Sequence, residues 1–353
     1  MIDAPLETLF LPFLEGRLAW PPDGALFLRA RAGAPLDAST FPGLVCEQSF
    51  KPDAEALDRA GFDVQPLVPS SVRKYSLVLA LPPRQRDESR ALLARALTLL
   101  APGGVAIACA ANNDGARSVE RDLERLAGPV TTMSKNKCRV FWTAPLEQLP
   151  ARALLAEWGE LDAIRPIEDG RFFSRPGIFA WNRIDAASRL LAAHLPSTLA
   201  GRAADLGAGF GYLSAELLAR CPGIVSLDVY EAEARALDLA RGNLASLESR
   251  FRIEYLWHDV TAGLARSYDV IVCNPPFHTH AHASRPDVGR RFIAAAAQAL
   301  APGGRLFLVA NRHLPYESAL DAHFEPVRTL AQQEGFKVVE AVRASAARLA
   351  RVR

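Results

Sequence analysis

The sequence is poor in cysteine, in net charge and in long apolar runs. Its five cysteines (Cys46, Cys109, Cys138, Cys221, Cys273) are scattered, odd in number and without a CxxC pair. This argues against a disulfide framework or a cysteine-based zinc site and points to a reducing compartment. The formal net charge is only +2, so a nucleic-acid partner must be met by local basic patches. No apolar run approaches the ~20 residues of a membrane helix. The opening stretch MIDAPLETLFLPFLEGR lacks the basic start and small-residue cleavage site of a signal peptide. The expectation is a cytoplasmic protein with no membrane partner. Half of the 353 residues are hydrophobic and 23% are charged, an ordinary globular composition. The length suits two domains of about 150 residues each.

What the sequence does contain is a repeat. YSLVLALPPR, ESRALLARALTLL and APGGVAIACAANN follow one another in the first half; YDVIVCNPPF, GRRFIAAAAQAL and APGGRLFLVANRH do so in the second. Each half reads strand, Pro-Pro loop, helix, Gly-Gly turn, strand. The strands are short, apolar and continuous, as parallel strands buried on both faces are. Alternation with helices predicts an α/β layer structure in each half. The segment from about Pro150 to Phe173, with ARALLAEWGEL and the polar turn RPIEDGR, separates them. The expected domains are residues 1–150 and 151–353.

The second half carries ADLGAGFGYLSAELLA, a strand, a glycine turn and a helix. Gly207, Gly209 and Gly211 let the backbone approach a ligand and adopt dihedrals closed to side chains. Alone, such a turn is a weak signal. The next strand, IVSLDVYE, ends at Glu231, about twenty residues on, where a dinucleotide-type fold offers a carboxylate to ribose hydroxyls. Asp228 lies inside that strand and ranks second. The third strand, FRIEYLWHD, ends at Asp259. Each acid also has a plain structural reading, at a helix N-terminus for Glu231 and as a turn cap for Asp259. The order of glycine turn, Glu231, Asp259 and NPPF at successive strand ends is the strong signal.

This half, from about Phe172 onward, resembles the class I S-adenosylmethionine-dependent methyltransferases. The resemblance implies cofactor contacts from Asp205, Gly207, Gly209, Gly211 and Asn274, a ribose contact from Glu231 and an adenine contact from Asp259. A nicotinamide enzyme is the competing use of this layout, and it leaves NPPF unexplained. Asn274, Pro275, Pro276 and Phe277 resemble the signature of amino-methyltransferases, which act on adenine N6, guanine N2 or glutamine N5. An exocyclic amine is a poor nucleophile because its lone pair is delocalised into the ring. The Asn274 side-chain oxygen and the Pro275 carbonyl can accept its two N–H bonds and turn the lone pair outward. The prolines hold φ and remove donors, and Phe277 offers a stacking face worth about 1–3 kcal/mol. His278, His280 and His282 alternate, but no cysteine or acidic cluster accompanies them, and no metal is expected. Trp257 and His258 read as packing residues at a strand end.

FFSRPGIFAWNRIDAASRLL, LAPGGRLFLVANRHLPYESAL, GFKVVEAVRA and SKNKCRVFWTA, with NPPFH, are similar to the ribosomal RNA guanine-N2 methyltransferases, particularly the small-subunit methyltransferase C family. The resemblance covers nearly the whole chain. It implies two tandem Rossmann-like domains with mostly parallel seven-stranded sheets and helices on both faces, the first degenerate and the second active. The implied partner is ribosomal RNA or a ribosomal subunit, with the fused duplicate working as a monomer. The first half has Leu81 and Arg84 where the second has Asn274 and Phe277, and no glycine motif, so a scaffold or RNA-placing role is expected. Arg73, Lys74, Arg84, Arg86, Lys135, Lys137 and Arg139 are candidate phosphate contacts or a plain solvated surface. Phe173, Ser174 and Arg175 line the site by resemblance or pack between domains. Two departures stand out: Ala208, where many relatives have Cys, and His280, where a small turn residue is usual. The alternatives are the large-subunit guanine-N2 family, a protein glutamine-N5 methyltransferase, whose small helical N-domain is not seen here, and a non-catalytic assembly protein, which predicts a damaged motif.

Overall fold

The structure is a computed structural model that describes residues 3–69, 73–276 and 286–344. Two compact units divide it: residues 1–164 with 175–177, and residues 165–174 with 178–353. The first unit begins with α1 (Ala4–Leu14), β1 (Ala25–Leu28), β2 (Leu44–Glu47), α2 (Lys51–Arg59) and β3 (Asp63–Gln65). It continues through β4 (Tyr75–Ala80), α3 (Arg86–Thr98), β5 (Leu100–Ala111), α4 (Ala116–Ala127), β6 (Val130–Lys135), β7 (Cys138–Thr143) and α5 (Arg152–Gly159). Its seven-stranded sheet has the order β3-β2-β1-β4-β5-β7-β6.

The second unit opens with a hairpin of β8 (Arg165–Ile167) and β9 (Phe172–Ser174), then α6 (Ala186–Ala193), β10 (Ala200–Leu206), α7 (Tyr212–Arg220) and β11 (Gly223–Glu231). After these come α8 (Ala234–Leu244), β12 (Arg252–Trp257), β13 (Tyr268–Cys273), α9 (Pro286–Ala299) and β14 (Leu300–Asn311). It closes with α10 (Glu317–Asp321), β15 (Phe324–Gln333) and β16 (Phe336–Arg343). The order β12-β11-β10-β13-β14-β16-β15 repeats that of the first sheet position by position. In each sheet six strands run in one direction, and one runs against them: β7 between β5 and β6, and β16 between β14 and β15.

Alternating side chains of the parallel strands feed opposite faces, the period-2 consequence of the pleat. In β13, Val270 and Val272 join one apolar cluster and Ile271 and Cys273 the other. In β4, Val78 and Ala80 divide from Leu77 and Leu79 in the same way. Helices cover both faces, which is why these strands read as unbroken apolar runs.

The duplicated APGG is not a turn between helix and strand, as its composition suggested. It lies inside β5 and β14, as a break in register. Tyr75 pairs with Leu100 and Leu77 with Val105; Tyr268 pairs with Leu300 and Val270 with Arg305. A Cβ on Gly104 would stand 2.9 Å from the Ala101 carbonyl and 3.1 Å from that of Tyr75. On Gly304 it would meet the Ala301 and Tyr268 carbonyls at the same two distances. The backbones approach too closely for any side chain, so both copies keep glycine.

The segment between the halves also differs from its reading as a separator. Helix α5 belongs to the core of the first unit, where Leu155 and Trp158 are buried. The Trp158 ring carries the guanidiniums of Arg90 and Arg125 at 4.7 and 5.0 Å. The polar turn RPIEDGR is the bend of the β8–β9 hairpin, with Glu168, Asp169 and Gly170 at positive φ. Strands of three residues are too short to show an alternation in sequence.

Candidate active site

The sheet order reverses between β10 and β13, the topological switch point where open α/β sheets bind ligands at their carboxyl ends. Leu206 is in register with Cys273. Gly207 and Asn274 therefore leave neighbouring strands side by side.

Gly207, Gly209 and Gly211 have φ of 73°, 57° and 90°. A Cβ on Gly211 would press on Ala240 at 3.2 Å, whereas one on Gly209 would meet nothing within 4 Å. The first is a packing requirement. The second marks open space in front of a bare backbone, as a cradle for a ligand requires. Below the turn, Asp205 is fully buried and its Oδ2 accepts a 2.7 Å bond from Ser214 Oγ on α7. Its Oδ1 has no partner among the described residues. Burial pushes the carboxyl up to about 7, against the opposing bond from Ser214.

Glu231 reaches across to the same turn. One oxygen accepts from the Gly209 N–H at 2.8 Å, the other from the Glu233 N–H at 2.8 Å. Burial raises its carboxyl above the ordinary value, in opposition to those two bonds. Asp259 caps the short 3-10 turn Val260–Ala262, accepting from the Thr261 N–H and hydroxyl, both at 2.8 Å. Asp228 is committed elsewhere, to Arg266 at 2.9 Å and the Tyr268 hydroxyl at 2.6 Å. Trp257 Nε1 donates to the Ala232 carbonyl at 2.8 Å, and His258 Nε2 lies 2.7 Å from the Gly263 carbonyl.

Asn274 is held in one orientation. Its Nδ2 donates to Asp185 Oδ2 at 3.0 Å and to Ser188 Oγ at 2.8 Å. A carboxylate only accepts, so the NH2 group must face Asp185 and the amide oxygen must face away. That Oδ1 is buried and has no partner among the described residues. A buried acceptor without a donor costs about 1–3 kcal/mol. Such an atom, beside a bare glycine backbone, suits a ligand that brings an N–H. Pro275 is buried and Pro276 exposed. The Cys273 thiol, pushed well up by burial, stays protonated and is no nucleophile. Among the described residues, no three His, Cys, Asp or Glu side chains are grouped to hold a metal. Phe277, His278, His280 and His282 lie outside the described residues.

Three positions escaped the sequence reading. Asp185 caps α6 by accepting from the Ser188 N–H at 2.9 Å, and the same carboxylate anchors Asn274. Both partners lie more than 80 residues from Asn274, so spacing gave no sign of them. Asn243 on α8 ties the hairpin to the glycine turn, donating to the Phe173 carbonyl at 2.9 Å and the Phe210 carbonyl at 2.8 Å. Beside this tie, Phe172 packs against Phe210 and Tyr212. Phe173 is exposed, Ser174 is buried, and Arg175 pairs with Asp162 in the first unit.

The chain is similar to known proteins. The methyltransferase small domain family matches residues 169–340. A ribosomal RNA small subunit methyltransferase C of Pseudomonas aeruginosa is 33% identical over 297 residues, which is 82% of this chain and 85% of the relative. Its namesake in Cronobacter sakazakii is 31% identical over 260 residues, 74% of this chain and 73% of the relative. A solved T. thermophilus 16S rRNA N2 methyltransferase, in complex with AdoMet and guanosine, has a TM-score of 0.76. That match covers 93% of this chain and 90% of the other at 24% identity, and shows a common fold.

Proposed function

The chain belongs to the ribosomal RNA small subunit methyltransferase C family, and we propose that it methylates the exocyclic N2 amine of a guanine in small-subunit ribosomal RNA. The carrying observation is the Asn274 amide, whose nitrogen is tied to Asp185 and Ser188 and whose buried oxygen awaits a donor. The acceptor base supplies that donor. Asn274 Oδ1 and the Pro275 carbonyl take the two N–H bonds of the amine, which turns its lone pair away from the ring. Asp185 and Ser188 are positioning residues, since they keep the amide from presenting its own NH2 to the base. Phe277 stacks the base.

The cofactor is S-adenosylmethionine, which supplies an electrophilic methyl on a sulfonium. Gly207, Gly209 and Gly211 give it a bare backbone, Glu231 takes the ribose hydroxyls, and Asp259 takes the adenine amine. Asp205 holds the turn through Ser214. Bound there, the cofactor would supply the methyl group to the nitrogen that Asn274 and Pro275 orient, and the amine proton would leave to solvent. The chain's contribution is orientation and preorganised electrostatics. The first half serves as scaffold and helps place the RNA. The enzyme works as a monomer in the cytoplasm, on one guanine unpaired or flipped out of its helix.

Methyl transfer from labelled S-adenosylmethionine to separated ribosomal subunits and their naked RNAs, followed by nucleoside digestion, tests this. N2-methylguanosine in the small-subunit RNA is expected. The same nucleoside in the large-subunit RNA would move the chain's activity to that substrate. Label on protein or on adenine would refute guanine as the acceptor, and no label anywhere would remove catalysis.

A further inference from the structure

Half of the fourteen arginines in residues 1–164 form ion pairs with carboxylates among the described residues. Arg17, Arg29, Arg31, Arg90, Arg95, Arg125 and Arg139 all form ion pairs. Arg117, Arg121, Lys135 and Lys137 form none among the described residues. Three of the unit's arginines, two of these unpaired ones and Arg139, line one open cavity of about 460 Å³ with Asn112, Gly115, Ser118 and Ser134. Among the described residues no carboxylate and no aromatic ring lines it. The cavity sits where β5 gives way to α4, between that helix and the β6–β7 hairpin whose tip carries Lys135 and Lys137.

Its parts are held in place. Arg139 makes two bonds to Glu120, at 2.8 and 3.0 Å. Arg121 Nε donates to the Arg117 carbonyl at 3.2 Å. Arg117 and Arg121 stand one turn apart on α4, an (i, i+4) like-charge pair that costs an isolated helix about 0.2–0.5 kcal/mol. An adjoining hollow of about 380 Å³ adds Glu120 and Glu124 to the same three arginines. Counting both acids, the guanidiniums still exceed the carboxylates, and the hairpin lysines widen the excess.

We infer that this cleft binds the sugar–phosphate backbone of the RNA substrate through Arg117 and Arg121, with Arg139 and the serine hydroxyls as fixed neighbours. Guanidiniums and hydroxyls suit phosphate oxygens. Without an aromatic wall the cleft favours phosphate over base contacts, and phosphate contacts position RNA without reading its sequence. This inference rests on the reading of the second half as an RNA methyltransferase and gives the first half a defined task.

The test compares wild type with the double variants Arg117→Ala/Arg121→Ala and Arg117→Lys/Arg121→Lys. Affinity for naked small-subunit RNA is measured against salt concentration, and KM for RNA and affinity for S-adenosylmethionine are measured alongside. Losing two phosphate contacts should flatten the log–log salt slope by about 1.5. The alanine pair should raise KM for RNA about tenfold with cofactor affinity unchanged, and the lysine pair should keep the wild-type slope. If the alanine pair lowers thermal stability, Ser134→Glu, which brings an anion to the cleft wall, must flatten the slope in its place. An unchanged slope in the alanine pair or in Ser134→Glu overturns the inference. So does equal competition by polyglutamate, which would make the partner an acidic protein. The slope is read without turnover. A flattened slope with no methylated guanine keeps the cleft and removes the guanine reading, and methylated guanine with an unchanged slope does the reverse.

Discussion

Strand register aligns the two halves residue by residue. Leu28 pairs with Ala80 and Glu47 as Leu206 pairs with Cys273 and Tyr230. Phe27 therefore stands where the second half has Asp205, Arg29 where it has Gly207, Gln48 where it has Glu231, and Leu81 where it has Asn274. Extending the register through Gln65 puts Val68 in the place of Asp259. Each replacement removes a group that the proposed function assigns to a ligand. Gln48 Oε1 still accepts from the N–H two residues on, Phe50, at 2.8 Å, as Glu231 does from Glu233. Its Nε2 meanwhile bonds the Ala30 carbonyl inside the former turn at 2.5 Å. Arg29 keeps a left-handed φ of 55°, which costs an ordinary residue about 1–2 kcal/mol, and pairs with Glu88 at 2.9 Å. Phe27 and Leu81 are buried in apolar clusters. Strand order and APGG, kept in both halves, belong to the fold; the five polar or glycine positions, kept only in the second, are the ones the proposed ligand would use.

The sharpest way to break the comparison is Asn274→Ala. Turnover should fall about 10²–10³-fold, as when one preorganised polar contact is removed, with cofactor affinity nearly unchanged. Steady-state kinetics with a binding isotherm checks this, and unchanged turnover would remove Asn274 from the chemistry. Next is Glu231→Gln, which gives the second half the side chain of the first. Loss of a charge-assisted contact of about 1.5–3 kcal/mol corresponds to a 10- to 100-fold weaker cofactor. Calorimetry measures it; the converse Gln48→Glu should leave the stoichiometry at one, because Arg29 and Leu81 remain.

A smaller effect is expected from Asp185→Asn. Its amide can face Asn274 with NH2, which favours the flipped Asn274 amide and should lower kcat about tenfold while KM for the cofactor holds. The contact is charge-assisted, and Asp185→Ala adds about 1 kcal/mol of lost helix capping. A kcat loss without a KM change separates positioning from binding. A further effect is on stability rather than on turnover. Asp205 has a folded pKa near 7, above its ordinary 3.8. A raised pKa contributes stability that is complete below about pH 4 and lost as pH climbs through 7. Asp205→Asn should therefore gain on wild type between pH 5 and 8, by about 1–3 kcal/mol at the upper end. Urea titrations at the two pH values measure it, and a difference independent of pH would show that Asp205 is already ionised throughout.

Much of the fold was legible. Continuous apolar strands, alternating helices and the repeat gave two α/β halves, and the glycine turn, Glu231, Asp259 and Asn274 stand at the strand ends where spacing put them. The hairpin and the true place of APGG were not, because three-residue strands carry no period and a register break leaves no local signature. The helix α5 was legible as a helix but not as part of the first core, since its amphipathic pattern does not name the surface it covers.

By itself the sequence determined the local chemistry of each strand end: which positions carry glycine, carboxylate, amide or proline, and so what each could offer a ligand. Tertiary structure alone decided which of those atoms are available. Asn274 Oδ1 is available because Asp185 and Ser188, from a distant helix, consume its NH2, and Asp228 is withdrawn because Arg266 and Tyr268 consume its carboxylate. Hydrogen-bond capacity is a property of the residue, but its remaining capacity depends on neighbours that only the packed chain brings within 3 Å.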